Sequence, residues 1–390
     1  MARRSFRLAI ILAAARRGDM LDAALRLARF YAGRDWPGLG RIDVVLGYPE
    51  TPAPADDALH RACRTGDPAI ALRRFRWVKL TPDEARLVFP PEAIPAGLAE
   101  VWLPDDGARE FRDADAWILV ADHLRGTVPF LRPTAVASPD LAPRRIAALP
   151  GGPGGHGDRA RLAETMTAWR QARCVFATTP AGCADLVSYA GIHPDRVLLA
   201  PPLLAPPQDA AALPSPGAEP GILWLADAAG ADHDAAMAAL RAYLAGGGGL
   251  RVTLCSEGSA PREVAPEVAQ RLDLAGDPLP ATRRRLMTAR GIVWQPIPGE
   301  DAGLAAVAAA RAGAHLVLGD DPPLRDLCAV HGIAARFHPV HDAARAAAEL
   351  LEAERALGAG APAGHALRAT TAEALGQAYG RILARIATDA

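Results

Sequence analysis

Short apolar runs alternate with longer amphipathic stretches from one end of the sequence to the other. Phe6–Leu12 is a mostly apolar run that predicts a buried strand, and Met20–Tyr31 follows it with small and apolar residues at helical spacing. The same rhythm predicts further strands at residues 42–46, 116–120, 134–137, 174–177 and 196–199, with helices at 158–171 and 180–189. Strands that alternate with helices in this way are typical of a parallel sheet in an α/β domain.

Proline interrupts this rhythm between residues 204 and 220, at Pro206, Pro207, Pro214, Pro216 and Pro220. Because proline fixes φ and lacks an amide hydrogen, the segment predicts a linker rather than a helix or a central strand. After it the alternation restarts, with strands predicted at 222–225, 251–255, 291–294, 315–318 and 334–337 and helices at 232–244, 262–274, 303–312 and 323–331.

These patterns divide the chain into two doubly wound Rossmann-like domains of α/β class. We predict an N-terminal domain at 1–203, a linker at 204–220, a C-terminal domain at 221–362 and a last helix within 363–390. Two such domains that face each other enclose an interdomain cleft at the carboxyl ends of their strands, where the ligands of such sheets bind.

Composition narrows the range of functions. The chain has 390 residues, half of them apolar, and a formal net charge of −1, so it lacks the positive charge of a dedicated nucleic-acid-binding protein. Lys79 is the only lysine. A P-loop lysine or a Schiff-base lysine is therefore available at that position alone, which argues against chemistry of either kind.

The five cysteines lie far apart and form no CxxC pair, so the sequence contains neither a zinc ribbon nor a thioredoxin-like dithiol, and we expect buried free thiols. No cofactor is expected. The apolar run Leu8–Ala15 is short and leads into Arg16 and Arg17 without a small-residue cleavage site, which favours a first strand over a signal peptide. No run approaches the roughly 18–20 apolar residues of a membrane span. We expect a cytoplasmic protein, and peripheral contact with the inner membrane stays open.

The segment from Gly299 to Leu304 is the most informative candidate site. Glu300 and Asp301 form an acidic loop directly before a predicted helix. The amides of Ala302, Gly303 and Leu304 would then form an anion site at the start of that helix, beside a carboxylate that can accept hydrogen bonds from hydroxyl groups. A ligand with both hydroxyl groups and phosphate fits this combination. Alternatively, Glu300 and Asp301 only cap an ordinary helix.

Arginines in two other loops could neutralise phosphate. Arg17 follows the first predicted strand, and Gly18 beside it permits close approach of the backbone to a ligand. Arg262 follows the strand predicted at 251–255. Each of the two arginines could equally be a solvated surface residue.

Three residues of the first domain could orient or deprotonate an acceptor hydroxyl. Asp140 follows the strand predicted at 134–137, and His123 and His156 lie in predicted loops. A structural or solvated role is the alternative for each of them.

Glu300-Asp301-Ala302-Gly303-Leu304, continued by Gly313 and Asp320, resembles the donor-binding segment of GT-B glycosyltransferases of the family 4 type (group 1). Arg173–Pro180 with Arg196-Val197 is similar to the last strand–helix–strand of that family's N-terminal domain. The resemblance implies a GT-B fold, a nucleotide-sugar held as substrate by the C-terminal domain, an acceptor held by the N-terminal domain, and metal-independent transfer that retains the anomeric configuration. It also implies that Glu300 contacts the hydroxyls of the donor sugar and that Gly303 and Leu304 present amides to the donor.

The sequence departs from the family pattern at two places. Ala308 stands where the family has a second glutamate, and residues 225–240 contain no arginine or lysine where the family has a basic pair. Three hypotheses follow: a retaining glycosyltransferase that makes a glycan or surface polysaccharide precursor, a catalytically degenerate GT-B protein that binds a glycan or a partner, and a sugar-nucleotide epimerase.

Overall fold

A computed structural model describes most of the chain, namely residues 5–13, 19–50, 70–90, 94, 100–120, 128–137, 163, 166–167, 169–203, 220–226, 233–256, 264–276, 291–296, 304–359 and 370–388. These residues form two compact units. The first contains the described residues up to 203 together with those from 371 onward, and the second contains those between 220 and 370.

The strands are β1 (Arg7–Leu12), β2 (Asp35–Trp36), β3 (Gly40–Arg41), β4 (Asp43–Pro49), β5 (Ala71–Leu80), β6 (Val101–Asp105), β7 (Ala116–Val120), β8 (Thr134–Ala137), β9 (Cys174–Ala177), β10 (Val197–Leu199), β11 (Gly221–Ala226), β12 (Arg251–Ser256), β13 (Leu272–Gly276), β14 (Gly291–Gln295), β15 (His315–Gly319) and β16 (Ala335–His338). The helices are α1 (Asp19–Ala32), α2 (Pro82–Val88), α3 (Pro180–Ser188), α4 (His233–Ala245), α5 (Pro266–Ala269), α6 (Leu304–Arg311), α7 (Pro322–His331), α8 (Ala343–Gly358) and α9 (Ala372–Ala387).

The first unit is built on an eight-stranded sheet with the order β10-β9-β8-β7-β1-β4-β5-β6. Its strands are parallel except β6, which runs antiparallel to β5 at the edge. Leu8 to Leu12 of β1 are almost completely buried, as expected for a central strand covered on both faces. Chain order runs outward in both directions from β1, so the strand order reverses between β1 and β7, as in a doubly wound sheet.

The C-terminal helix α9 packs on the first unit. Tyr31 of α1 donates a hydrogen bond from its hydroxyl to the carbonyl of Tyr379 at 3.1 Å, and the Tyr379 hydroxyl donates to the carbonyl of Pro201 at 3.0 Å. Both phenols are buried, and burial raises their pKa. The last helix of the sequence is therefore part of the core of the first unit.

The second unit is a six-stranded parallel sheet with the order β13-β12-β11-β14-β15-β16. This is the strand order 3-2-1-4-5-6 of a Rossmann sheet, and it reverses between β11 and β14. One face is covered by α4 and α8 over a core that includes Trp224 and Trp294, whose ring centroids lie 5.4 Å apart. The predicted α/β class with two doubly wound sheets is confirmed.

The helix predicted at 262–274 is wrong in its described part. Only Pro266–Ala269 is helical, and Leu272–Gly276 is the strand β13. The wrong prediction arose from an apolar spacing of four residues, typical of one helix face, at Val264, Val268 and Leu272. Leu272 and Leu274 alternate with Asp273, however, and this period of two is the pattern of a strand.

No helix among the described residues is long and apolar enough to cross a membrane. Four cysteines, Cys174, Cys183, Cys255 and Cys328, are free thiols. Burial raises the pKa of Cys174 to about 12 and that of Cys328 to about 11, so both stay protonated at neutral pH and are poor nucleophiles. Cys63 lies outside the described residues.

Candidate functional site

In open α/β sheets, ligands bind at the carboxyl ends of the strands, at the place where the strand order reverses. We therefore expect the candidate site at this edge of each sheet. In the second unit this place lies between β11 and β14, which pair in parallel register with Trp224 opposite Trp294. The described residues at this edge include Ala226 at the end of β11, Gln295 at the end of β14 with Pro296 after it, and Gly319 at the end of β15. They form the described part of the candidate site in the second unit.

Gly319 allows the ends of β14 and β15 to come close together. A Cβ atom at residue 319 would lie 2.2 Å from the carbonyl oxygen of Pro296 and 3.4 Å from Cγ2 of Val340. The first distance is far below a normal contact, and a backbone carbonyl cannot move aside as a flexible side chain can. A glycine is therefore required at this position of the edge.

A buried hydrogen bond joins β14 to β16 at the same end of the sheet. Nε1 of Trp294 donates to Nε2 of His338 at 3.2 Å, and Nδ1 of His338 lies 2.9 Å from the carbonyl of Pro339. His338 is buried, and burial lowers the pKa of its imidazole. His338 is therefore a neutral structural residue that fixes the outer part of the edge.

The acidic residue Asp320 follows β15 and forms an ion pair with Arg325 of α7. The guanidinium group of Arg325 also stacks over the ring of Phe337 at 4.5 Å from its centroid. This arginine lowers the pKa of the Asp320 carboxyl group. Because its charge is balanced by Asp320, Arg325 is poorly suited to neutralise a phosphate.

Gln295 is the last residue of β14, and only 4% of its surface is exposed. Its side-chain oxygen Oε1 has no hydrogen-bond partner among the described residues. Most buried polar side-chain atoms in proteins have such a partner, so this atom is an exception at the edge where a ligand is expected.

At the carboxyl edge of the first unit, the backbone of Ala13 makes hydrogen bonds to two other strands. Its amide donates to the carbonyl of Val120 at the end of β7 at 2.9 Å, and its carbonyl accepts a hydrogen bond from Nε1 of Trp77 on β5 at 2.9 Å. Ala13 directly follows β1 and precedes the segment that contains Arg17 and Gly18. Trp77 therefore anchors the chain at the entry to that segment.

Most of the predicted site residues lie outside the described part of the chain: Arg17, Gly18, His123, Asp140, His156, Arg262, Glu300, Asp301, Ala302 and Gly303. Leu304 is described and is the first residue of α6. Chain order places 300–303 between the end of β14 and the start of α6, and Arg17 and Gly18 after the end of β1. Among the described residues, no group of three or more His, Cys, Asp or Glu side chains could hold a metal ion.

Sequence reasoning missed Gln295, Trp77 and His338. Gln295 is a single polar residue that extends the apolar run Gly291–Trp294, and this placement was a visible sign of a buried amide. The hydrogen bond of Trp77 crosses from β5 to the end of β1, and that of His338 crosses from β16 to β14. No local pattern predicts contacts between segments so distant in sequence.

Solved structures resemble the chain over nearly its whole length. A sucrose-phosphate synthase from Thermosynechococcus elongatus matches with a TM-score of 0.61 and 14% identity, covering 99% of this chain and 100% of that one. WaaG, a glycosyltransferase involved in lipopolysaccharide biosynthesis, matches with a TM-score of 0.57 and 14% identity, covering 97% of this chain and 95% of that one. A putative UDP-N-acetylglucosamine 2-epimerase from Listeria monocytogenes matches with a TM-score of 0.52 and 13% identity, covering 98% of this chain and 96% of that one.

At these identities the likeness shows the fold alone, and the chain has a GT-B fold. No protein-family model and no curated protein sequence matches it.

Proposed function

We propose that this protein is a retaining glycosyltransferase that transfers a sugar from a nucleotide-sugar to a hydroxyl group of a glycan or surface polysaccharide precursor. One observation carries the proposal: β14, which the segment Glu300–Leu304 follows in the chain, lies at the point where the strand order of the second sheet reverses, and that segment resembles a donor-binding segment in sequence. Ligands of doubly wound sheets bind at such points.

In this proposal the second unit binds the donor. Glu300 accepts hydrogen bonds from sugar hydroxyls, and the amides of Ala302, Gly303 and Leu304 bind phosphate or sugar, with Asp301 beside them. Arg17, next to Gly18, and Arg262 supply the positive charge that stabilises a departing diphosphate. Positive charge from elsewhere is needed because residues 225–240 contain no arginine or lysine.

The first unit is proposed to bind the acceptor. Asp140 takes the role of a catalytic residue that orients the acceptor hydroxyl, and His123 and His156 line the acceptor site. Transfer is proposed to proceed without a metal ion, so a chelator should leave the activity unchanged. A cytoplasmic location with peripheral contact to the inner membrane belongs to the same proposal.

Two other functions are each favoured by a specific observation. Ala308 in place of a second glutamate favours a degenerate GT-B protein that binds a glycan or a partner without catalysis. The likeness to a putative UDP-N-acetylglucosamine 2-epimerase favours an epimerase on the same fold. Conversion of a free UDP-sugar without any acceptor would identify the epimerase.

Calorimetric titration with UDP-glucose, GDP-mannose and ADP-glucose tests the proposal. We expect one of these to bind with a Kd between micromolar and millimolar, and Glu300→Ala to weaken that binding. Glu267→Ala is the matched control, because Glu267 is an exposed glutamate on α5 of the same unit. A correctly folded protein that binds none of the three donors would contradict the proposal.

A further inference from the structure

The unpartnered oxygen of Gln295 lies on a definite face of the second sheet. Trp294 packs into the core beneath α4 and α8. Successive side chains of a strand point to opposite faces, so the side chain of Gln295 lies on the other face. Helix α6 contacts β14 and β15 and contributes no described residue to the Trp294 core, which places α6 on the same face as Gln295.

The start of α6 lies at the same edge as Gln295. Strands β14 and β15 are parallel, and α6 connects them, so the helix runs back along the sheet from the carboxyl edge, where it begins at Leu304. Gln295 is the last residue of β14 and therefore lies at the carboxyl edge as well. The buried amide and the helix N-terminus thus share one face and one edge.

A buried carbonyl without a hydrogen bond destabilises the folded protein, since the same atom would bind water in the unfolded chain. An apolar side chain of the same length would remove this cost. The unpaired oxygen is therefore best explained by a hydrogen-bond donor that is present only when a ligand is bound.

We propose that the side-chain carbonyl of Gln295 binds the ligand directly, by accepting a hydrogen bond from a hydroxyl or N–H group of the nucleotide-sugar. This inference rests on the proposed function and adds a contact that the resemblance does not assign. A carbonyl oxygen cannot donate to phosphate, so the contact is made by the sugar, the ribose or the base. Gln295 thus contributes to selection of the neutral part of the donor.

Thr253 provides a matched control. Its hydroxyl oxygen is also buried and also lacks a hydrogen-bond partner among the described residues. Thr253 lies in the middle of β12, on the same face as Gln295, and its partner in the register is Leu223 of β11. It is therefore set back from the carboxyl edge, where no ligand is expected.

The experiment compares the wild type with Gln295→Met and Thr253→Val. Without ligand, both substitutions should raise Tm, by about 2 °C, because each removes a buried unpaired oxygen. The donor among UDP-glucose, GDP-mannose and ADP-glucose that binds the wild type should bind Thr253→Val equally well and Gln295→Met about tenfold more weakly. Gln295→Leu is measured alongside, so that a packing defect specific to methionine is recognised.

Two results would overturn the proposal while leaving the proposed function intact: an unchanged Kd for both Gln295 variants, or a lower Tm of both in the absence of ligand. The second result would show that the amide stabilises the folded protein through contacts within it. If the wild type binds none of the three donors, the proposed function fails and this contact fails with it. The two failures are therefore distinguishable.

Discussion

Trp294 fixes the tautomer of His338 through a hydrogen bond that spans β15. Indole Nε1 can only donate, so the Nε2 atom of His338, 3.2 Å away, must be the unprotonated acceptor. The imidazole hydrogen is then on Nδ1 and is donated to the carbonyl of Pro339 at 2.9 Å. A proton added at Nε2 would break the bond to Trp294 and place a charge in a buried position.

Acid is therefore expected to destabilise the protein through His338. Burial lowers the pKa of His338 below its ordinary value of 6.5, so below pH 6.5 the unfolded chain binds a proton that the folded protein does not. The contribution to stability is complete above pH 6.5 and is lost as the pH falls from 6.5 towards the lower pKa of the folded state. Urea unfolding of the wild type and of His338→Gln between pH 5 and 8 measures this pH dependence of the unfolding free energy.

Glutamine can still accept from Trp294 but does not titrate, so His338→Gln should show a weaker loss of unfolding free energy between pH 6.5 and 5. The same pH dependence in both proteins would show that other groups cause it.

A second expected effect concerns Asp113, which joins two strands of the first unit. Its carboxylate accepts hydrogen bonds from Arg73 of β5 at 2.8 and 2.9 Å and from Arg7 of β1 at 2.8 Å. The guanidinium of Arg73 is the main cause of the strongly lowered pKa of Asp113. Asp113→Asn should lower the unfolding free energy by about 2 kcal/mol, since it weakens charge-assisted hydrogen bonds. Urea unfolding at pH 7 measures the loss.

The carboxylate of Asp83, which pairs with Arg86 on the surface of α2, serves as the control for Asp113. Asp83→Asn should change stability little, because exposed ion pairs contribute little. The pH dependence provides a further check. The lowered pKa of Asp113 means that its contribution is present above pH 3.8 and is lost as the pH falls below that value, a loss that Asp113→Asn should not show.

Local sequence patterns predicted the continuous buried strands well. They missed strands that depend on contacts with residues far away in the sequence. The predicted strand Ala116–Val120 coincides with β7, because an unbroken buried apolar run has one interpretation in an α/β chain. Strand β5 was missed, since it carries Arg73, Arg74, Arg76 and Lys79 within ten residues. Arg73 can lie in a strand because Asp113 and Asp106, more than thirty residues away, neutralise it.

The candidate site likewise combines features that the local sequence predicts with features that depend on tertiary contacts. The helix predicted at 303–312 corresponds to α6, Leu304–Arg311, because glycine and acidic residues before an apolar run mark a helix start. The unpaired oxygen of Gln295 could not be predicted, because it depends on which groups of other segments fail to reach it. The close approach of Gly319 to Pro296 likewise depends on the pairing of two strands.

A third prediction concerns Trp77, whose indole holds the carbonyl of Ala13. Trp77→Phe keeps an aromatic ring that can pack on Phe75 but removes the donor, so it should lower the unfolding free energy by about 1 kcal/mol. Ala13 leads into the segment with Arg17 and Gly18, and the proposed function assigns Arg17 to the diphosphate of the donor, so on that proposal the variant should also weaken donor binding. Thermal unfolding and the calorimetric titration measure the two effects.

Trp102→Phe is the control for Trp77, because Trp102 of the edge strand β6 donates only to Glu100, at 3.3 Å. It should leave donor binding unchanged. If Trp77→Phe and Trp102→Phe bind the donor equally well, the bond to Ala13 is purely structural.

The last prediction uses Gly319 to test the edge of the second sheet directly. In Gly319→Ala the new methyl group would lie 2.2 Å from the carbonyl oxygen of Pro296, so the ends of β14 and β15 must separate. Such overpacking should cost about 1–3 kcal/mol of unfolding free energy. Since Pro296 follows Gln295 and leads into 300–303, the displacement should also weaken binding of the nucleotide-sugar, as measured by the calorimetric titration.

Gly358→Ala at the end of α8 is the control for Gly319→Ala, because a Cβ there meets nothing within 4 Å and alanine favours a helix. A Gly319→Ala protein that is less stable but binds the donor as the wild type does would show that the ligand lies elsewhere, because the displaced residues would then have no contact with it.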